Sequence, residues 1–245
     1  MREQSFGDDE RAVSEVISFV MVFGIIIGSV AVLSLVGFQL VEDYQENEQL
    51  QNAERGMTSL AANVDDVVRY DTIDERSSEL ALREGRVVTG DDGTRLNVTV
   101  GDEEVFNDTL GTFRYELDGR AIAYDGGGVF RAEESGNVSI SQPPIRCDED
   151  VAVVSLVVLE ADDRTLQSDE VQEFTVRENE TEVHRTLEDD VTVNVTVEDT
   201  AYETGWETVL GHENDDVGWE WDDDDTGSCD VDRATIRIVA AELEY

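Results

Sequence analysis

The chain has 245 residues, with 59 Asp and Glu against 17 basic residues, all of them Arg, and a net charge of −42. Such a surplus of negative charge excludes nucleic acid and anionic surfaces as partners and repels itself in dilute buffer; at molar salt the Debye length falls to about 3 Å and screens that repulsion. A Lys-free acidic chain in which 40% of residues are still hydrophobic fits a folded protein of hypersaline habitats better than a disordered acidic tail.

Residues 1–12 form a polar leader in which Arg2 and Arg11 stand among Glu3, Asp8, Asp9 and Glu10. Then Val16 to Val41 run without a single charged side chain. As a helix these residues extend about 39 Å, more than the roughly 30 Å hydrocarbon core of a bilayer. One membrane span over 13–41 is the first reading, with membrane lipid as its partner. Gly24 and Gly28 make a Gly-x-x-x-Gly step that lets two helices approach closely. Gly is also common in membrane helices generally, so helix packing and mere composition both account for the pair. Arg2 and Arg11 precede the span, while Glu42, Asp43, Glu46 and Glu48 follow it, which favours an inside N-terminus and an outside C-terminal domain.

A secretory signal peptide carries its small-residue cleavage site after the apolar region. Ser29-Val30-Ala31 offers such spacing, but apolar residues continue beyond it and the leader is acidic. The better junction, Arg11-Ala12-Val13-Ser14-Glu15, lies before the apolar run. Cutting there removes a short polar leader and keeps the apolar helix.

That arrangement resembles the class III signal peptide of archaeal type IV pilins and pilin-like proteins, which prepilin-peptidase-type enzymes cut after a charged residue followed by Gly or Ala. The resemblance implies such an enzyme as a partner, cleavage after Arg11-Ala12, and Val13 as the first mature residue. Haloarchaeal members often read Arg-Ala-Val-Ser-Pro-Val-Ile. Here Glu15 stands where they have Pro, followed by Val16-Ile17, which points to a pilin-like relative rather than the main adhesive group. The resemblance also implies that Glu15 pairs with the Val13 amine of another copy, so that self or other pilin-like subunits become partners. The residues alone also allow Glu15 to be a flanking acid in the headgroup region, where its charge costs little.

Beyond the span, Leu50, Ala53, Met57, Leu60, Val64 and Val67 recur at alternating three- and four-residue steps, an apolar stripe of helical period. This predicts an amphipathic extension over 42–72 and one long helix from Val13 to Tyr70, with a slight bend at Gly56. The stripe is narrow enough for a coiled-coil seam, but the strand-rich region after it makes packing on a sheet the stronger reading.

From Glu79 onward the pattern switches to period two. It predicts strands at Leu80–Arg83, Val87–Thr89, Leu96–Val100, Phe113–Leu117, Ala121–Tyr124, Val138–Ser141, Val151–Leu159, Val171–Arg177, Val191–Val197 and Thr235–Ala240. Asp118-Gly119 is a hairpin signal, Asp92-Gly93 and the stretch from Asp125 to Gly128 are turn signals, and Pro143-Pro144 breaks the sheet between two halves. Trp206, Val209 and Leu210 predict a short helix or turn closing on the sheet. The expected fold class is α+β: a long N-terminal membrane-spanning helix that continues into an amphipathic segment, packed on an antiparallel β-sandwich or meander domain at 75–245.

Five Asn-x-Ser/Thr sequons, at Asn97, Asn107, Asn137, Asn179 and Asn194, use five of the nine Asn in the chain. Chance, given the Ser and Thr content, predicts about one, and all five lie beyond the span, as candidate N-glycosylation sites of an exported domain. Asn97 and Asn194 alternate with valines and leucine in strand pattern, which turns their amides away from the core. Cys147 and Cys229 are the only cysteines, and an even number in an exported chain favours one disulfide, although two thiols remain an open alternative.

Signs of catalysis are few. His184 and His212 are the only histidines, without ligand-spaced partners, so neither a zinc site nor any other metal or cofactor is expected. The run from Asp222 to Asp225 partly resembles a calcium loop, but its twelfth position is Arg233 rather than Glu. Trp219 and Trp221, on either side of Glu220, read as core packing rather than a sugar platform. No catalytic residue is assigned. The expected function is that of a pilin-like, minor or accessory cell-surface structural subunit, assembled or anchored through its N-terminal helix. The alternative is a permanently anchored surface binding protein.

Overall fold

The computed structural model describes residues 7–69, 73, 75–168, 170–186, 190–211, 218–222 and 224–245, with backbone alone at 7–15, 35–43 and 186. Helix α1 spans Gly7–Arg69 without a break. The predicted helix from Val13 thus begins earlier, and Tyr70 lies outside the described residues. The chain divides into two compact units, Met1–Glu48 and Gln49–Tyr245.

In the second unit, the C-terminal third of α1 buries the predicted stripe: Leu50, Ala53, Met57, Leu60, Val64 and Val67 are all buried, joined by Ala61 and Val68. The helix continues through Gly56. Its role is space: a Cβ there would meet Leu80 Cδ1 at 2.7 Å. The helix end is stabilised from the sheet, where the Arg237 guanidinium donates to the Val68 carbonyl. A cation at that position satisfies an orphan carbonyl and complements the helix dipole.

The described residues of the β-region form three sheets. The first orders β1 (Glu75–Ala81), β12 (Val171–Thr186), β16 (Arg233–Glu244), β10 (Val151–Glu160) and β9 (Ile145–Asp148). The second orders β11 (Arg164–Gln167), β2 (Arg86–Gly90), β5 (Thr112–Leu117), β6 (Arg120–Asp125), β7 (Gly128–Glu133) and β8 (Gly136–Ser141). The third orders β14 (Glu220–Trp221), β15 (Thr226–Val231), β13 (Val191–Glu198), β3 (Arg95–Val100) and β4 (Glu103–Thr109). Helix α2 (Glu203–Leu210) is the short helix expected around Trp206.

The domain is α+β and mostly antiparallel, with one departure among the described residues: β10 and β16 pair in parallel, Val151 opposite Arg233 through Glu160 opposite Glu242. Parallel neighbours need a long crossover. Here the chain between them supplies β11 to β15 and α2.

Each predicted strand has a counterpart, though β1 lies mostly before Leu80–Arg83 and β12 runs to Thr186, well past Arg177. Strands β4, β7, β9, β11, β14 and β15 were not expected from the patterning. Several are short or rich in acids, Gly or Ser, and pairing holds them rather than propensity. The Asp118-Gly119 hairpin is present, with φ of 46° and 76° and Leu117 opposite Arg120, as a two-residue turn of the right-handed twist requires. Pro143-Pro144 lies between β8, the edge of the second sheet, and β9, the edge of the first.

Two apolar clusters fill the domain. One joins the α1 stripe to Phe113, Tyr115, Tyr124, Phe174 and the C-terminal halves of β10 and β16. The other joins the third sheet to Phe130, Trp206 and the N-terminal halves of β10 and β16. Strand β10 therefore buries Ala152, Val154 and Leu156 from one face, then Val157 and Leu159 from the other. This dual duty explains why its sequence reads as a nearly continuous apolar run.

Candidate functional site

The residues with the clearest functional character lie in α1. Val16–Ser34 has a mean hydropathy of 2.8 and is long and apolar enough to cross a membrane. Its helical rise is about 28 Å, close to the thickness of a hydrocarbon core. The large apolar side chains of this segment are between 52% and 71% exposed. The one polar group described in its middle is self-satisfied, since the Ser29 hydroxyl donates to the Ile26 carbonyl at 2.9 Å. That is the arrangement a lipid environment demands of a hydroxyl. Gly24 and Gly28 present open surface, with nothing within 4 Å of an added Cβ. The side chains of Arg11, Ala12, Val13 and Glu15 lie outside the described residues.

Cys147 and Cys229 form a disulfide, with Cα atoms 6.1 Å apart across 82 residues. It ties β9 of the first sheet to β15 of the third, so its covalent loop encloses most of the crossover between β10 and β16.

The five sequons are in unequal surroundings. Asn107 and Asn179 are exposed, and their amides donate to Glu104 at 3.0 Å and Glu160 at 2.8 Å. Asn97 and Asn194 are half-buried on the central strands β3 and β13. Asn194 donates to Thr99 Oγ1 at 3.3 Å and accepts from the Ser228 hydroxyl at 2.8 Å. Asn137 Oδ1 accepts from the Gly205 backbone N–H at 2.7 Å. Gly205 lies in the first turn of α2, whose own N-cap residue, Tyr202, makes no side-chain cap. Asn137 thus caps a helix from a distant strand, a role that sequence spacing does not reveal.

A buried polar cluster went unanticipated as well. Asp125, at the end of β6, is only 3% exposed. Its Oδ2 accepts from Thr94 Oγ1 at 2.6 Å and from the Trp206 indole N–H at 3.0 Å, and Thr94 Oγ1 lies 2.8 Å from Thr200 Oγ1. The carboxyl joins β6 to the start of β3 and to α2. Burial pushes its pKa up to about 6, the two hydrogen bonds offsetting part of that shift. Asp125 lines a cavity of about 260 Å³ together with Asp92, Arg114, Asp199 and Tyr202. The sequence marked this residue only as the first of a turn, because Gly126 and Gly127 follow it.

The remaining candidates are structural. Trp206 and Trp219 are buried and Trp221 packs against the same cluster. Asp222 Oδ1 accepts from the backbone N–H groups of Asp224 and Thr226, so this carboxylate closes its own turn. His184 is half-buried with its Nε2 3.8 Å from Glu103, and His212 is outside the described residues. Among the described residues, no three His, Cys, Asp or Glu side chains converge as a metal site.

The model of a family of unknown function, DUF7289, matches residues 11–244, taking in the apolar segment and the β-domain together. No curated protein and no solved structure matches the chain.

Proposed function

Since the chain belongs to the DUF7289 family, for which no activity is defined, we propose its role from its own residues: a pilin-like, minor or accessory subunit of a halophile's cell surface, held by its N-terminal helix. The observation that carries this reading is the continuity of α1. The same unbroken helix supplies exposed apolar side chains over Val16–Ser34 and core side chains from Leu50 to Val68. A secretory cut after Ala31 would sever this helix inside its apolar stretch and leave only Val32 to Val41 of it, too short to span a bilayer. Cleavage after Arg11-Ala12 instead leaves it whole and begins the mature chain at Val13.

In this reading the bilayer solvates the helix before assembly, and neighbouring helices replace lipid afterwards, with Gly24 and Gly28 allowing close approach. Glu15 then pairs with the Val13 amine of a neighbour. The 75–245 domain, which we read as layered sheets of sandwich type, faces the medium with its glycans and acidic surface. The disulfide and the excess of sequons support that outward placement.

Mass spectrometry of the mature protein tests the cleavage: a chain beginning at Val13 is expected, and one beginning at Met1 or Arg2 removes the pilin-like reading. Shearing of cells tests the assembly. Release with filaments supports a subunit, whereas full retention in the membrane replaces it with a permanently anchored binding protein.

A further inference from the structure

The five sequons share one pattern in sequence and are unequal in the fold. N-glycosylation of a folded domain needs the amide and the Ser/Thr hydroxyl two residues on to be reached together, with local backbone free to leave the extended form. A central strand cannot do this without breaking ladder hydrogen bonds on both sides. An edge or bulged residue can.

Asn179 meets the requirement best. Glu178 pairs with Ala241 and Glu180 with Ala240, so Asn179 is the extra residue of a β-bulge, without a partner across the ladder. Strand β1 covers β12 only from Val171 to Arg177, leaving this stretch without a described neighbour on that side. Asn107 is next. It is exposed on β4, an edge strand, two residues beyond a second register irregularity opposite Val98/Thr99.

Both amides donate only to exposed carboxylates, Asn179 to Glu160 and Asn107 to Glu104, and the sequon hydroxyls of Thr181 and Thr109 donate to Glu178 and to the Asp91 carbonyl. The other three are tied into the sheets or to α2. Asn194 sits between β15 and β3, bonded to both Ser228 and Thr99. Asn97 sits between β13 and β4, and its own sequon hydroxyl, Thr99, is the group that receives Asn194. Asn137 lies on an edge strand but its carbonyl caps α2, and the hydroxyl of its sequon partner, Ser139, is buried.

We propose that the folded domain is N-glycosylated at Asn179 and Asn107 alone of the five, while Asn97, Asn137 and Asn194 serve the fold. The donor is a sugar linked through phosphate to a membrane lipid. The amide nitrogen attacks the anomeric carbon, a C–N bond forms, and the bond from that carbon to the phosphate oxygen breaks. The lipid phosphate leaves with the electron pair, and the amide gives up one proton to a base of the transferase. The inference rests on the outward placement of the domain in the proposed function.

The test is glycopeptide mass spectrometry of the full chain, recovered from the envelope of an archaeal host that N-glycosylates its own proteins at molar salt. Protease accessibility of the domain on intact cells is measured in parallel. Glycan is expected at Asn179 and Asn107 and not at the other three. The mobility shift should survive Asn97→Gln and Asn194→Gln, shrink with Thr181→Val or Thr109→Val, which keep each Asn, and vanish in the Asn107→Gln/Asn179→Gln double variant. Glycan on Asn97, Asn137 or Asn194 overturns the assignment. Five bare sequons on a protease-accessible domain also overturn it while leaving the outward placement intact. A domain shielded from protease overturns both.

Discussion

The two stretches of α1 share a backbone conformation and differ in what surrounds their side chains. From Val16 to Ser34 the apolar residues go all the way round the helix and are largely exposed, whereas from Leu50 to Val68 they form one stripe that is fully covered. The lesson is that helicity carries no information about solvent; the angular width of the apolar surface does. Charged substitutions break this comparison most directly. Met57→Asp places an unpaired charge at a position with no exposure, and a loss on the order of 4–5 kcal/mol is expected, enough to abolish cooperative unfolding of the domain at molar salt. Ile25→Asp should leave the domain's unfolding unchanged and instead weaken retention in the membrane fraction, by about 3 kcal/mol on insertion scales. Thermal melts in detergent, paired with carbonate extraction, separate the two effects.

The disulfide sharpens a second contrast, between a part of the chain stabilised by packing and one stabilised by covalent constraint. An 82-residue separation predicts about 4.5 kcal/mol from loop closure in the chain-entropy model. Cys147→Ser/Cys229→Ser should lower the urea midpoint without changing membrane retention, since the cross-link joins only β9 and β15. An unchanged midpoint would mean that the unfolded chain keeps this loop compact.

What the sequence disclosed follows the same divide. The stripe from Leu50 to Val67 was legible because local period fixes a helical face, and the Asp118-Gly119 turn because few residues tolerate its backbone. The pairing of β10 with β16 in parallel was not, since nothing near Val151 indicates a partner at Arg233. Strand β10 also hid its two-faced burial: Leu156 and Val157 are adjacent yet belong to different clusters. Among the site residues, Cys147 and Cys229 were readable from number alone. Asn137 and Asp125 were not, because their partners, Gly205 and Trp206, lie 68 and 81 residues away.

Asp125 and Tyr124 are neighbours on β6 that face different clusters, and only the former titrates near physiological pH. A carboxyl whose pKa is raised by folding from about 4 to about 6 binds its proton more tightly in the folded state. Its contribution to stability is therefore greatest below about pH 4 and declines as pH rises through 6, by up to about 3 kcal/mol. Asp125→Asn keeps an acceptor for Thr94 and Trp206 without the charge. It is expected to melt higher than wild type at pH 7 and to match it near pH 4. Equal melting temperatures at both pH values would mean that water or cations in the cavity beside Asp92 and Asp199 compensate the buried charge.

The smallest expected effect isolates a single hydrogen bond. Asn137→Ala removes the only described side-chain acceptor in the first turn of α2, and capping losses of this kind run about 1 kcal/mol. Asn137→Asp keeps the acceptor and adds negative charge at the helix N-terminus, where the dipole favours it. The Asp variant should therefore retain most of the stability that the Ala variant loses, even in a chain already carrying a net charge of −42. Were both variants equally destabilised, the amide's donors rather than its carbonyl would be what β8 supplies. Hydrogen exchange at the Gly205 amide discriminates the cases, because only loss of the acceptor should speed it.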